Sequence, residues 1–469
     1  MHRLLFAVSI LGACGGGDDS GRLADAPPSS DAAPTDGQVD AADAAPDAAV
    51  PQNVTLTITK NGSPAREVVV YFQNADSSLV ATATTDADGV AQAMMAAGGY
   101  VTAINPFTTP IPAITVAGIA PPDELRTFAG VKPGDRLVLT HDDPPESFLV
   151  RVIVPEIARG TSYELNTTCG QGVAAPPPPS VQLAAATGSV SLAGCATTDF
   201  IVVSHINDEG DRRVSAFHHP GVNVDDVASV DFTLPTPDPY KDLVDVTFSY
   251  TSVPGEISNV DVTHYLASTL GLFARPSELT VPLTSGAGSR GTLEPDVTGL
   301  IGILDSRMVQ TSPHHVLVWG PNTTTYDLDM TGLLLRDVLR ERLYDVAGKR
   351  VTWTEAATGA SADLTTVEID VTRSFVDDSP RRWNWRIAAP YTAAQVKFPE
   401  LPIDTYTPIA NDSVVVLNLI NAKVPGGYDA VRARVLDVQD RESLTSFVAG
   451  ATGRVVTVGE PPGVVRRTR

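Results

Sequence analysis

Histidine pairs are the residues in this sequence that could form a metal site. Two adjacent pairs, His218-His219 and His314-His315, could supply metal ligands. Neighbouring residues on a strand point to opposite faces, so such a pair cannot bring both rings to one ion. The sequence contains neither His-Glu-x-x-His nor Cys-x-x-Cys, which are spacings that zinc sites use. We therefore predict no metal site and no bound cofactor.

Two short segments resemble ligand-binding loops but lack the features that complete them. Residues 286–291 fit Gly-x-Gly-x-x-Gly, which cradles a pyrophosphate only where a helix follows. No helical pattern follows, so we expect a loop. Asp86–Gly89 resembles the start of a calcium loop, whose twelfth position requires Glu. Ala97 occupies that position, and a β-turn is expected instead.

Trp383 and Trp385 are the aromatic residues best placed to bind a ligand. Alternation places both on one face of a predicted strand, beside Arg386. Exposed rings would stack on a sugar or a peptide with support from the cation, whereas buried rings would belong to a core. Because only 6% of the residues are aromatic, the cores need these tryptophans, and we favour burial. No Gly-x-Ser-x-Gly signature is present, so no catalytic residue is predicted.

Length and composition limit the number of domains that position these residues and the class of protein. The chain has 469 residues, of which 43% are hydrophobic, and a net charge of −22. This length predicts three or four domains, and the acidity argues against nucleic acid as a partner. No run approaches the roughly 18 apolar residues of a membrane-spanning helix. The 37 Gly and 37 Pro residues indicate a β-rich, turn-rich, exported protein.

The N-terminus has the order of an export signal. A basic start precedes the apolar run 4–11, which is too short to span a bilayer but fits a signal peptide over residues 1–13. Leu11–Cys14 resembles the lipobox of bacterial lipoproteins, which implies that Cys14 is diacylated and anchors the chain. By the same resemblance, Gly15 implies a lipid anchor in the outer membrane, at the periplasmic face or the cell surface. An ordinary signal peptide with a chance cysteine is the alternative.

Residues 14–52 are predicted to be a disordered Asp/Ala/Pro linker between the anchor and the first domain. From residue 15 onward they contain no aromatic residue, eight Asp and one Arg. Such a segment buries too little apolar surface to offset its ordering entropy.

Residues 53–142 are expected to form a β-sandwich. Residues 54–58 alternate Val, Leu and Ile with Thr, which is the pattern of a half-buried strand. Short strands separated by turn residues continue to residue 104. Within this region, Gly62–Val68, Thr84–Gly89 and Ala97–Ala103 follow one another in the chain. In this order of segments, residues 53–107 resemble a carboxypeptidase-regulatory-like (prealbumin-like) domain, which implies a structural or spacer module without peptidase activity.

A second β-sandwich is predicted over residues 143–236. It contains Cys169 and Cys195, the only cysteines besides Cys14. In an exported chain two such cysteines indicate a disulfide, which would contribute about 3.5 kcal/mol in the chain-entropy model. Two free, buried thiols are the alternative.

The remaining chain is assigned to two more β-rich domains. Residues 237–341 alternate like strands, and Leu333–Leu339 is the one segment with a helical spacing. Residues 342–457 resemble a fibronectin type III domain, and residues 458–469 are expected to be a solvated tail. The features behind that resemblance are Trp353 early in a strand, Leu401-Pro402 and Tyr406.

The sequence therefore predicts an all-β protein of tandem antiparallel sandwiches, Ig-like or prealbumin-like, after a disordered tether. We expect a lipid-anchored cell-envelope protein with a structural, display or binding role and no catalytic activity of its own. Its partners would be the membrane, through Cys14, and an envelope protein or polysaccharide. The alternatives are an extracytoplasmic carbohydrate-binding protein and a secreted hydrolase with its site in loops of residues 237–341. Sandwich loops can hold a site without any linear motif.

Overall fold

The chain is all-β, as predicted. The computed structural model describes residues 50–60, 62–106, 122–141, 147–154, 162–169, 186–193, 196–206, 212–224, 229–231, 241–273, 277–296, 299–309, 312–374, 380–403, 406–432 and 452–459. These ranges contain thirty strands and one short helix. No helix in them is long and apolar enough to cross a membrane.

The strands fall into four consecutive groups, which we call the first to fourth sandwiches. The first consists of β1 (Gln52–Lys60), β2 (Ser63–Pro64), β3 (Val69–Gln73), β4 (Leu79–Thr84), β5 (Val90–Met95), β6 (Gly99–Ile104), β7 (Asp123–Val131) and β8 (Arg136–His141). The second consists of β9 (Ser147–Val154), β10 (Ser162–Thr167), β11 (Ala186–Ala193), β12 (Thr197–Ile206), β13 (Arg212–Asn223), β14 (Ser229–Asp231) and β15 (Lys241–Asp242).

The other two groups complete the described chain. The third consists of β16 (Val244–Thr251), β17 (Asn259–Ser268), β18 (Gly271–Leu272), β19 (Ser277–Pro282), β20 (Gly288–Glu294), β21 (Ile301–Val309), β22 (Pro313–Pro321) and β23 (Thr325–Asp329). The fourth consists of β24 (Val338–Asp345), β25 (Arg350–Glu355), β26 (Leu364–Arg373), β27 (Arg381–Pro390), β28 (Gln395–Lys397), β29 (Ser413–Lys423), α1 (Gly427–Arg432) and β30 (Gly453–Gly459).

The first and third sandwiches share one connectivity. In each, the first strand pairs antiparallel with the fifth strand of the group and parallel with the last, giving the orders β5-β1-β8 and β20-β16-β23. The opposing layers run β4-β3-β6-β7 and β19-β17-β21-β22. The second sandwich repeats this plan in β11-β9-β14 and β10-β12-β13, without a described counterpart of β4. Three successive modules are therefore variants of one topology.

One sheet of thirteen strands passes through three of the four sandwiches. Its order is β18-β17-β21-β22-β30-β29-β26-β27-β7-β6-β3-β4, with β19 also on β17. Parallel pairing of β27 with β7 joins the fourth sandwich to the first. Strand β30 lies between β22 and β29 and joins the third to the fourth. The sheet order of the sandwiches is therefore third, fourth, first, unlike their order in the chain.

Burial alternates along β1 as predicted, whereas the segment that was predicted to be a helix is not helical. Val54, Leu56 and Ile58 of β1 are fully buried, as the alternation predicted. The helix predicted for Leu333–Leu339 is wrong. The segment begins in a turn, Leu335 bridges to Ala360, and β24 begins at Val338. The spacing that suggested a helix instead places side chains from a turn and from a strand in the same core.

Candidate functional site

The predicted cysteine sites are largely beyond the structural description. Cys14 and the signal peptide lie outside the described residues, as does Cys195. Cys169 lies just after β10 and is buried. The lipidation of Cys14 and the Cys169–Cys195 disulfide therefore stay predictions.

Trp383 and Trp385 do not form a ligand-stacking platform, so that interpretation is corrected. Both are fully buried. The Trp385 ring packs edge-on against Phe398, and its Nε1 donates a hydrogen bond to Thr127 Oγ1 at 2.8 Å. The Trp383 ring packs edge-on against Tyr406. The alternation of β27 directs both rings into the core between the sheets. This is the burial that the sequence analysis favoured over an exposed platform.

The two loop-like motifs are both turns. Residues 286 and 287 lie in the turn that connects β19 to β20, two strands of different sheets, and residues 288–291 belong to β20 rather than to a helix. Gly286 has a φ of +77°, a conformation that glycine adopts without strain. Asp86 Oδ1 accepts hydrogen bonds from the backbone N–H groups of Asp88 and Val90. The side chain closes a turn, as expected from the sequence.

The adjacent histidines point to different partners. His314 is fully buried, with Nε2 3.6 Å from Asp337 Oδ1. His315 Nδ1 lies 3.1 Å from Asp305 Oδ1 on the other side of the strand. Within the described ranges, no group of three or more His, Cys, Asp or Glu side chains could hold a metal ion.

A small cleft between the second and third sandwiches contains several buried polar side chains. The space in it, part of which is open to solvent, is about 330 Å³. Strands β10 and β12 line one side, and β17, β19 and the end of β20 line the other. Its lining residues are Asn166, Ile201, Val203, His264, Leu266, Phe273, Ser277, Glu294 and Pro295.

His264 is the central residue of this cleft. Its Nε2 lies 3.1 Å from the Tyr326 hydroxyl oxygen, and its Nδ1 lies 4.0 Å from Glu294 Oε2. Phe248 stacks on the Tyr326 ring and confines the imidazole from the side. Gly302 permits this arrangement, because a Cβ there would lie 1.9 Å from the Tyr326 hydroxyl oxygen.

Hydrogen bonds connect several polar side chains of the cleft. The Ser277 hydroxyl donates a hydrogen bond to Glu294 Oε2 at 2.8 Å. Burial raises the pKa of Tyr326 to about 12, so its hydroxyl stays protonated at neutral pH. Among the described residues, His264 Nδ1 and Asn166 Oδ1 are buried without a hydrogen-bond partner. The cleft has the chemistry to hold a water molecule, which satisfies such atoms in protein interiors.

The second notable site is a row of polar side chains across four strands of the thirteen-stranded sheet. Arg126 of β7, Arg386 of β27, Glu368 of β26 and Asn418 of β29 occupy directly paired positions. Glu368 accepts hydrogen bonds from Arg386 and Asn418, each at 3.1 Å, and from Asn384 at 2.7 Å. We call these residues, Arg126 to Asn418, the polar row.

The electrostatics of the polar row favour an ionised Glu368. Burial alone would raise the pKa of this carboxyl. The Arg386 charge, the bonds from Asn418 and Asn384 and the Arg126 charge outweigh it and hold the pKa below its usual value. A buried carboxylate is stable only when it is paired and hydrogen-bonded in this way.

Two further clusters bridge β7 and β27 at the ends of their pairing. At one end, Arg381 and the Tyr406 hydroxyl both donate to Asp123 Oδ2, and the Arg381 guanidinium lies over the Tyr406 ring. At the other end, the Tyr428 hydroxyl of α1 lies 2.8 Å from the carbonyl oxygens of Ala129 and of Ala388. The joint between the first and fourth sandwiches is therefore held from end to end.

Comparisons with known proteins add little to this geometry. No family model matches the chain, and no curated protein matches it. One solved structure with partial similarity is described as the Bacillus anthracis TIE protein, at 11% identity and a TM-score of 0.15. The alignment covers 60% of this chain and 50% of that one, so it spans half of that protein's length. At this TM-score the similarity carries no argument.

Proposed function

We propose that this chain is a lipid-anchored cell-envelope protein with a structural, display or binding role and no catalytic activity. Cys14 would carry the acyl chains, and the segment up to residue 52 would act as a flexible spacer. A flexible coil of that length has a root-mean-square reach of roughly 35 Å. The folded part would then act beyond the membrane surface, at the outer membrane.

The continuous sheet through the third, fourth and first sandwiches is the observation that carries this proposal. Flexible tandem domains are normally joined by linkers and meet in small polar contacts. Here strand pairing connects β22 to β30, β30 to β29 and β27 to β7. A body built in this way keeps its surfaces in fixed relative positions, which suits a scaffold or a display protein.

We further propose that the third sandwich does not house a hydrolase. The hydrogen bond from Ser277 to Glu294 and the contact of His264 with Tyr326 support a structural role for the cleft. The burial of Trp383 and Trp385 likewise gives the carbohydrate-binding alternative no aromatic platform on β27. The resemblances of residues 342–457 to a fibronectin type III domain and of residues 53–107 to a prealbumin-like domain remain part of this proposal.

Membrane fractionation with intact-mass analysis tests the anchor. The native protein would be compared with Cys14→Ala, and Cys195→Ala would serve as the matched control. We expect the wild type and Cys195→Ala in the membrane fraction with the mass of a diacylated chain, and Cys14→Ala in the soluble fraction. Soluble wild-type protein that is cleaved without lipid would refute the anchor.

The same mass analysis tests the proposed disulfide. The mass of unreduced wild-type protein should be lower than that of the reduced protein by two hydrogen atoms. Cys195→Ala should show no such mass difference. An alkylating reagent that modifies both Cys169 and Cys195 in unreduced, unfolded protein would instead show two free thiols.

A further inference from the structure

Strand β4 is an open edge of the thirteen-stranded sheet. It is the last strand in the sheet order, and β3 is its one partner among the described residues. Leu79, Thr82 and Thr84 are exposed, and the six residues of β4 include no charge and no proline. An exposed edge of this kind presents unpaired backbone N–H and C=O groups to any extended chain.

The equivalent edge of the third sandwich is protected. Strand β19 occupies the place of β4 in the shared topology. It carries Glu278 and ends at Pro282, both exposed, and the Arg290 side chain donates a hydrogen bond to the Thr280 carbonyl at 2.8 Å. Charges, proline and covering side chains are the usual means of blocking edge pairing. Within the part of the chain that the structure describes, one of two equivalent edges is therefore blocked and the other is left open.

Both ends of β4 are acidic, and these charges favour some pairing strands over others. Asp76 precedes the strand, and Asp86 and Asp88 follow it, all exposed. Arg66 lies near the second end, and the Lys397 charge acts on Asp76 at the first end, so three carboxylates face two cations. A second copy of β4 would bring carboxylates together at the ends in either orientation, because both ends are acidic. A strand with a basic residue at each end would pair without that repulsion.

We propose that β4 is a strand-addition site for an extended segment of another protein. The segment would be uncharged and β-branched over about six residues, with Lys or Arg at each end. Main-chain hydrogen bonds would supply affinity, and the charged ends would supply selectivity. The inference names a partner for the binding role proposed above, but it rests on β4 alone and does not require the lipid anchor.

The test uses the full-length protein and labelled peptides of alternating Thr and Val. One peptide has Lys at each end, and its matched control has Glu at each end. Fluorescence anisotropy should show binding of the Lys peptide and at least tenfold weaker binding of the Glu peptide. Hydrogen exchange should show new protection in residues 79–84. Equal binding of both peptides, or protection elsewhere, would overturn the proposal.

Two variants separate β4 from the rest of the surface. Thr82→Lys should abolish binding of the Lys peptide, while Thr280→Lys on the protected edge of β19 should leave it unchanged. Asp76→Asn with Asp88→Asn should weaken binding about fivefold, as expected for two rim charges. Asn at position 76 keeps an oxygen that can accept from Ser78, so the turn is retained. Concentration-dependent self-association that Thr82→Lys abolishes would identify a second copy as the occupant and refute the partner proposed.

Discussion

The joint between the first and fourth sandwiches differs in kind from the contact between the second and third. The first joint contains a strand pair, β7 with β27, and side chains that bond across it along its whole length. The second contact consists of a small apolar cluster around Ile201, Val203 and Phe273 beside a cleft with unpartnered polar atoms. Both bury apolar surface, but only the first continues a sheet.

The difference indicates where the molecule is rigid. Backbone hydrogen bonds across a joint must all break together for the joint to open, whereas a side-chain contact can open locally. We therefore expect the first and fourth sandwiches to unfold as one unit, and the second sandwich to open at lower free energy. The variants below test that comparison, from the largest expected effect to the smallest.

Trp385→Ala should break the joint most severely. It removes a fully buried indole that packs on Phe398 and bonds Thr127 across the joint. The expected loss is about 3–5 kcal/mol in the free energy of unfolding, measured by chemical denaturation. Hydrogen exchange should show lost protection in both β7 and β27. Phe273→Ala is the control, and it should expose β12 while leaving β7 protected.

Glu368→Gln should destabilise the polar row by about 2–3 kcal/mol at pH 7, because the half-buried Arg386 loses its paired charge. The pKa of Glu368 is lowered in the folded protein, so its contribution is complete above the unfolded pKa of about 4.3. That contribution is lost as the pH falls through the lower, folded pKa. Denaturation at pH 7 and pH 3 should show a smaller difference between wild type and variant at pH 3. A difference independent of pH would contradict this account of the row.

Tyr428→Phe should weaken the joint by about 1–2 kcal/mol. The substitution removes only the hydroxyl that bonds the carbonyls of Ala129 and Ala388, while the ring stays in the core. The melting temperature and exchange in both strands would measure the loss. Unchanged exchange in β7 would show that α1 does not hold that strand.

Tyr326→Phe should have the smallest effect, about 1 kcal/mol, and it should be local. The hydroxyl bonds His264 and Asn322 within the third sandwich, away from β7 and β27. Exchange should rise near β17 and leave the first and fourth sandwiches unchanged. Loss of protection in β27 would mean that the two regions are coupled more strongly than their contacts indicate.

The sequence predicts the local features of this fold well and its joints poorly. Alternation in 54–58, the turn at Asp86 and the burial of Trp385 follow from residue type and spacing. The pairing of β7 with β27 joins residues 258 positions apart, such as Asp123 and Arg381, and no local pattern encodes such a partner. The structure buries Thr127, Phe128 and Ala129 without interruption, so both faces of β7 are covered at these residues.

The polar cleft also could not be predicted from the sequence. His264, Glu294 and Ser277 are widely spaced in the chain and fit no motif. They meet because β17 pairs with β19 and the end of β20 lies beside them. Sequence spacing can identify a site on one element, but here the site depends on sheet register.

Native-state hydrogen exchange in increasing denaturant tests the central claim most directly. If the first and fourth sandwiches form one cooperative unit, amides of Asp123–Val131 and of Arg381–Pro390 will lose protection together, at one free energy and with one denaturant dependence. Amides of β12 will lose theirs at lower denaturant. Separate opening of β7 and β27, with different free energies, would contradict the account and describe two independent domains in contact.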